Sequence, residues 1–197
     1  MSKDHFVGLL KQRGKFNFLY ELVTAGDQLG NGKLANTVEL FTFGDWNHYG
    51  RYKSRYIELD DELSAKLVDL TLVSMSNQYD NDVISLDDVY AQFGIRDFDT
   101  NIIDLVDNNV IDVKIDWANK CLRFGTALTL RDSFDSTMYT LKVLSVDDVL
   151  PRSFQHASGR LQSWYNDKLA PVKQDLDASL ARRAGTNSRK RKTPENV

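Results

Sequence analysis

Between Glu62 and Met75 the chain places Leu63, Leu67, Val68, Leu70, Leu72, Val73 and Met75 at helical spacing, apolar almost all round. A surface helix carries one apolar stripe, whereas a helix apolar on several sides must be covered on several sides. The remaining sequence therefore has to supply its neighbours. Upstream, Phe16, Leu19, Tyr20 and Val23 recur at helical spacing and stop at Ala25-Gly26. Gly26, Gly30, Asn31 and Gly32 make a loop, and Leu34, Val38, Leu40 and Phe41 mark a second helix ending near Gly44. Asp45 to Tyr56 is aromatic and polar without a period and reads as a structured connection. Residues 1–60 thus read as an N-terminal segment of helical hairpins.

Downstream, Ser85 stands as an N-cap with Asp87 and Asp88 in the first turn, where carboxylates favour the helix dipole. Leu86, Val89, Tyr90 and Phe93 form the apolar face of that helix, and Gly94 closes it. Asp97 opens a third helix with Phe98, Ile102, Leu105 and Val106 on one face, ending at Asn108-Asn109. Val113, Lys114, Ile115 and Asp116 alternate as a half-buried strand does, Trp117 to Lys120 is a turn, and Cys121 to Phe124 returns. Three helices followed by a β-hairpin, within residues 61–132, is the order of a winged helix. The second strand is expected to leave an open edge, which makes Val113, Ile115, Cys121, Leu122 and Phe124 a candidate partner-binding edge.

Residues 133–184 read as a connection and a long C-terminal helix, with extended pieces expected between Thr126 and Leu144. After Ser145, Leu161, Tyr165, Leu169, Val172, Leu176 and Leu180 are spaced 4, 4, 3, 4 and 4, with Trp164 flanking. That stripe is of the kind that helical bundles bury, so these seven residues are a second candidate partner surface. Pro171 is expected to kink the helix or split it in two. The fold class is therefore mainly α with a small β-hairpin or sheet.

Charge separates the last stretch from the rest. The formal net charge is −3, yet six of the 25 basic residues lie beyond Ala181. Without residues 182–197 the body holds 19 basic against 27 acidic residues, a net charge of −8. Residues 185–197 are small, polar and basic, and are expected to be a disordered tail. Arg189, Lys190, Arg191 and Lys192 suit a nuclear import signal, and a solvated tail is the plain alternative.

Several chemistries lack their residues. One cysteine, Cys121, excludes an internal disulfide, and no Cys/His cluster is present to bind zinc. The loop from Gly26 to Lys33 fails the phosphate-loop pattern, because five residues separate Gly26 from Gly32 and Leu34 replaces the hydroxyl. Asp80, Asp82, Asp87 and Asp88 fail the calcium-loop pattern at its sixth and twelfth positions, Ser85 and Ala91. His5, His48 and His156 are far apart, and no nucleophile elbow or dinucleotide fingerprint occurs. The sequence predicts no catalysis, no cofactor and no metal. Nucleic-acid binding through the third helix is disfavoured, since it carries Asp97, Asp99, Asp104 and Asp107 and no Lys or Arg. No run approaches a membrane span, and Met1 to Leu10 does not read as a signal peptide, which predicts a soluble intracellular chain.

Helical N-terminal segment, winged helix and long C-terminal helix together resemble the PCI family. Leu40-Phe41-Thr42-Phe43-Gly44 through Tyr49 is similar to a helix end of the small PCI subunit seven of the COP-nine signalosome. Glu62 to Met75, Ile102 to Ile111, and Leu161 to Tyr165 around Trp164 are similar to further stretches of that subunit. The resemblance covers about Leu34 to Phe124. A short N-terminal part, a long stretch Thr126 to Ser145, and Trp117 in the turn depart from it. It implies a non-catalytic scaffold that meets other PCI subunits through its winged helix and C-terminal helix, in nucleus and cytoplasm. The whole signalosome removes the ubiquitin-like Nedd modifier from cullins. A subunit of the proteasome lid or of the initiation factor three complex is the alternative within the family, and a nucleic-acid-binding winged helix the alternative outside it.

Overall fold

In the computed structural model, which describes residues 3–29, 32–150 and 154–189, the helix apolar on several sides is α5 (Asp61–Gln78). Asp60 caps it by accepting from the Leu63 N–H, and Asp61 and Glu62 fill its first turn. Leu67, Leu70, Leu72, Val73 and Met75 are wholly buried, as the all-round pattern requires. Its buried hydroxyls return to the helix itself: Thr71 Oγ1 donates to Leu67 O and Ser74 Oγ to Leu70 O.

Helix α5 shares one buried core with α1 (Lys3–Leu10), α2 (Leu19–Leu29), α3 (Lys33–Phe43) and α4 (Trp46–Arg51). The connection expected from Asp45 to Tyr56 is thus α4 and a 3-10 turn, Lys53–Arg55. Asp45 starts α4 with a capping box to His48, a signal masked in the sequence by the crowding of aromatics. Of the stripe expected here, Phe16 is buried and Leu19 packs against the core, while Tyr20 and Val23 point to solvent; Phe18, just before α2, and Leu22 complete the buried face. Helix α3 ends at Gly44, in an extended conformation that leaves no room for a side chain. A Cβ there would stand 2.5 Å from Leu40 Cδ1 and 2.8 Å from Leu40 O.

Next come β1 (Val83–Ser85), α6 (Leu86–Phe93), α7 (Asp99–Asp107), β2 (Val113–Asp116) and β3 (Cys121–Phe124). Ser85 caps α6 and Gly94 closes it at φ 70°, both as the sequence predicts. The strands form an antiparallel sheet in the order β1-β3-β2. Helix, strand, helix, helix, strand, strand with that order is a winged helix. One expectation fails here. Strand β3 is not an edge but the middle strand, pairing Leu122 with both Ile84 and Ile115. The missed partner, β1, is only three residues long and follows Asn81, a turn residue at φ 55°.

Residues 126–144 hold no strand beyond an isolated bridge at Phe134, against the extended pieces expected. They are fastened to the N-terminal helices by charged side chains. Arg131 is buried and donates through Nη1 to Gly44 O, Leu70 O and Ser74 Oγ, and through Nη2 to Phe41 O and Thr42 O. It thereby serves the orphan carbonyls at the end of α3. Asp132 accepts from the N–H groups of Phe18 and Leu19 at the start of α2. Glu39, fully buried in α3, accepts from Lys142 N, Val143 N and Leu144 N at 2.7, 2.9 and 3.0 Å, and from Tyr139 Oη. Ser145 then caps α8 (Val146–Val149), whose Asp148 meets His48 and Arg51 of α4 and Tyr52 just after it. The stretch 133–150, expected as a connection, belongs to the first of two compact units, Met1–Phe154.

Of the second unit, Gln155–Val197, the described residues, which end at Arg189, form one continuous helical run. It comprises α9 (Phe154–Trp164), a π-helical turn Tyr165–Leu169, and α10 (Ala170–Arg189). The split expected at Pro171 takes the form of that π turn. Proline cannot donate to the carbonyl four residues back and its ring crowds it. In the wider turn Ala170 N–H bonds Tyr165 O, five residues back, just before the proline. Helix α10 continues to Arg189, so Gly185 to Arg189 is helical rather than the coil expected there.

Candidate protein-interaction surfaces

The winged-helix edge differs in detail from its expectation. Val113, Cys121, Leu122 and Phe124 are buried and Ile115 packs against the core, so none of the five offers a free side chain. What two of them offer is backbone. Gly125 N–H bonds Asp112 O, and the alternation of an antiparallel ladder then turns Lys114 and Asp116 toward β3. The N–H and C=O of Val113 and Ile115 consequently point out along the free side of β2. Asp116 holds the wing turn closed, accepting from Asn119 N, Asn119 Nδ2 and Arg123, and these bonds keep its carboxyl below the usual range. Trp117 at the tip is 60% exposed. Helix α7 shows Asp99, Ile103, Val106 and Asp107 to solvent, with no basic side chain among them.

The C-terminal candidate surface lies on the second unit. Leu161, Trp164, Tyr165, Leu169, Val172, Leu176 and Leu180 are all exposed, from 42% at Tyr165 to 66% at Leu161. Their order holds an 11-residue repeat: Leu161 with Val172, Tyr165 with Leu176, and Leu169 with Leu180. Eleven residues are about three α-helical turns, so Leu169 and Leu180, with only α10 residues between them, share one face. Arg189 is the last residue of α10, while Lys190, Arg191 and Lys192 of the import candidate lie outside the described residues.

One polar cleft escaped the sequence reading. It has a volume of about 820 Å³ and lies between the loop after α1, the start of α5, and α7. Lys66, 3% exposed, donates to Arg13 O at 2.7 Å and stands 4.1 Å from the Phe16 ring centre. Burial pushes its ammonium down to about 8. Asp69, one turn on, accepts from Asn101 Nδ2 at 2.6 Å, and burial raises its carboxyl above the usual range. The available signal was Lys66 itself, a lone cation inside an apolar helix.

Elsewhere, His48 is buried with Nδ1 2.8 Å from Asp45 and Nε2 3.4 Å from Asp148. This carboxylate–imidazole–carboxylate chain ties α4 to α8. Among the described residues no cluster of His, Cys, Asp and Glu could hold a metal ion, and no helix is long and apolar enough to cross a membrane. No protein-family model matches the chain, and no curated protein matches it in sequence.

Proposed function

We propose that the chain is a non-catalytic PCI-type scaffold subunit of the COP-nine signalosome, acting in the complex that removes the Nedd modifier from cullins. The observation that carries this reading is the exposed stripe on a helical run with no core of its own. Covering one such leucine is worth ~1.5–3 kcal/mol, so four leucines with Trp164, Tyr165 and Val172 beside them make partner helices the natural cover. The winged helix preceding it supplies the second contact through the outward backbone of β2. The acidic, aliphatic face of α7 disfavours phosphate contact and suits a protein-binding winged helix instead.

Affinity purification from cells, with identification of the captured proteins, tests the assignment. Signalosome subunits should co-purify. Capture of proteasome-lid or initiation-factor-three subunits would move the chain to another PCI complex. Tight, salt-sensitive DNA binding at ~150 mM salt, lost on changing the wing, would replace the scaffold by a nucleic-acid binder.

A further inference from the structure

The cleft beside Lys66 has walls of unequal chemistry. On the loop wall Arg13 is exposed, and its side chain makes no hydrogen bond or ion pair among the described residues. On the α7 wall Asn101, Asp104, Leu105 and Asn108 occupy positions i, i+3, i+4 and i+7, one face of two turns. Asn101 commits its Nδ2 to Asp69 and Ala65 O, and Asn108 commits its Nδ2 to Asp104 O. Both amides keep an oxygen to accept an N–H from a visitor. The carboxylate of Asp104, exposed between them, has no partner among the described residues. Asp69 has one oxygen on Asn101, and its second makes no bond among the described residues.

Seven residues of helix span about 10 Å, which is the length of about three residues of extended chain. Two amide acceptors at that separation match the donors of a peptide backbone better than those of a compact metabolite. The volume, about 820 Å³, is also in the range that takes a ligand larger than a single amino acid. Between the amides, open carboxyl oxygens call for a cation.

We propose that this cleft binds a short extended polypeptide segment carrying an arginine or lysine, its backbone held by Asn101 and Asn108 and its basic side chain by Asp104 and Asp69. A guanidinium bonded there would reinforce Lys66 and Arg13, the cations that already act on Asp69 against its burial without bonding its second oxygen. Arg13 on the opposite wall then favours a carbonyl or an acidic residue of the same segment.

The test uses the full-length, isotope-labelled chain and two probes, Ac-Gly-Ser-Arg-Ser-Gly-NH2 and the same pentapeptide with glutamate replacing arginine. The arginine peptide should shift the amide resonances of residues 101–110 and 11–17 saturably, with a Kd in the range of about 0.1–5 mM. The glutamate peptide should not. Asp104→Lys, a change on an exposed helical position, should weaken binding ~10-fold or more by setting like charges together, with circular dichroism unchanged. Absence of saturable shifts, equal binding of both peptides, or an unaffected Asp104→Lys chain would overturn the proposal. Equal affinity for N-acetylarginine amide alone would also overturn it, because the backbone would then contribute nothing.

Discussion

Replacing Lys66 by methionine should change how the stability of the fold depends on pH, by an amount the structure sets. The lysine has an ordinary value of 10.5 when unfolded and about 8 when folded. Its cause is burial: the ammonium has left water for a site where it meets the Arg13 carbonyl and the Phe16 ring. Below about pH 8 both states hold the proton, and the folded state bears the full cost of burying the charge. Between 8 and 10.5 the unfolded chain keeps a proton that the folded chain has released, so stability rises with pH across that window. A difference of about 2.5 units corresponds to about 3 kcal/mol. Methionine keeps the shape and has nothing to titrate. Its lost hydrogen bond to Arg13 O offsets the comparison by a nearly constant amount. Urea denaturation of both proteins at pH 7, 8, 9 and 10 gives the difference curve. The wild type should gain most of about 3 kcal/mol on the methionine protein over this range, since other lysines and tyrosines titrate alike in both. A difference that stays flat within about 0.5 kcal/mol would refute the account of Lys66 as a buried ammonium.

Leu169→Asp with Leu176→Asp should release the chain from its complex while leaving the thermal midpoint of the first unit unchanged, read by co-purification and calorimetry. Continued co-purification of the folded double mutant would remove the stripe from the interface. Ile115→Pro deletes an N–H that points away from β3, so subunit capture should fall while circular dichroism stays native; equal capture would take β2 out of the contact. Glu39→Gln exchanges one acceptor oxygen for a donor, leaving backbone N–H groups near Lys142 to Leu144 without partners. It should cost about 2–3 kcal/mol and speed amide exchange there, and unchanged exchange would contradict the staple. A chain ending at Ala181 should lose nuclear enrichment relative to the full chain, by cell imaging, if the basic tail carries it in; an equal nuclear fraction would assign the tail no import role.

The central helix was legible because burial on several sides leaves a mark that needs no partner to interpret. The caps of α6 were equally legible: Ser85 and Gly94 act through neighbours three or four residues away. Strand β1 was not, since Val83-Ile84-Ser85 is too short to show a period, and missing it turned β3 from a middle strand into an edge. The stretch 126–144 was unreadable for another reason. Its order comes from Arg131, Asp132 and Glu39, polar residues that local patterns assign to the surface, bonded to positions distant in the chain. The same limit hid the cleft, whose walls come from three separate segments around Lys66. By contrast the stripe from Leu161 to Leu180 could be read whole, because one helix carries all of it.

The staples of α3 also set a timetable for synthesis. Arg131 serves carbonyls 87 to 90 residues earlier in the chain, and Glu39 receives amides 103 to 105 residues later. At ~5–20 residues per second, a ribosome takes about 5–20 s to make the intervening hundred residues. Throughout that interval the emerging α3 has a carboxylate in its inward face and unserved carbonyls at its end, so it cannot settle into its final burial. The N-terminal helices therefore wait on the ribosome for residues 131–144, and the first unit locks only when they arrive. A nascent chain accordingly stays open until residues 131–144 have left the ribosome, and only then has the ties it needs to close.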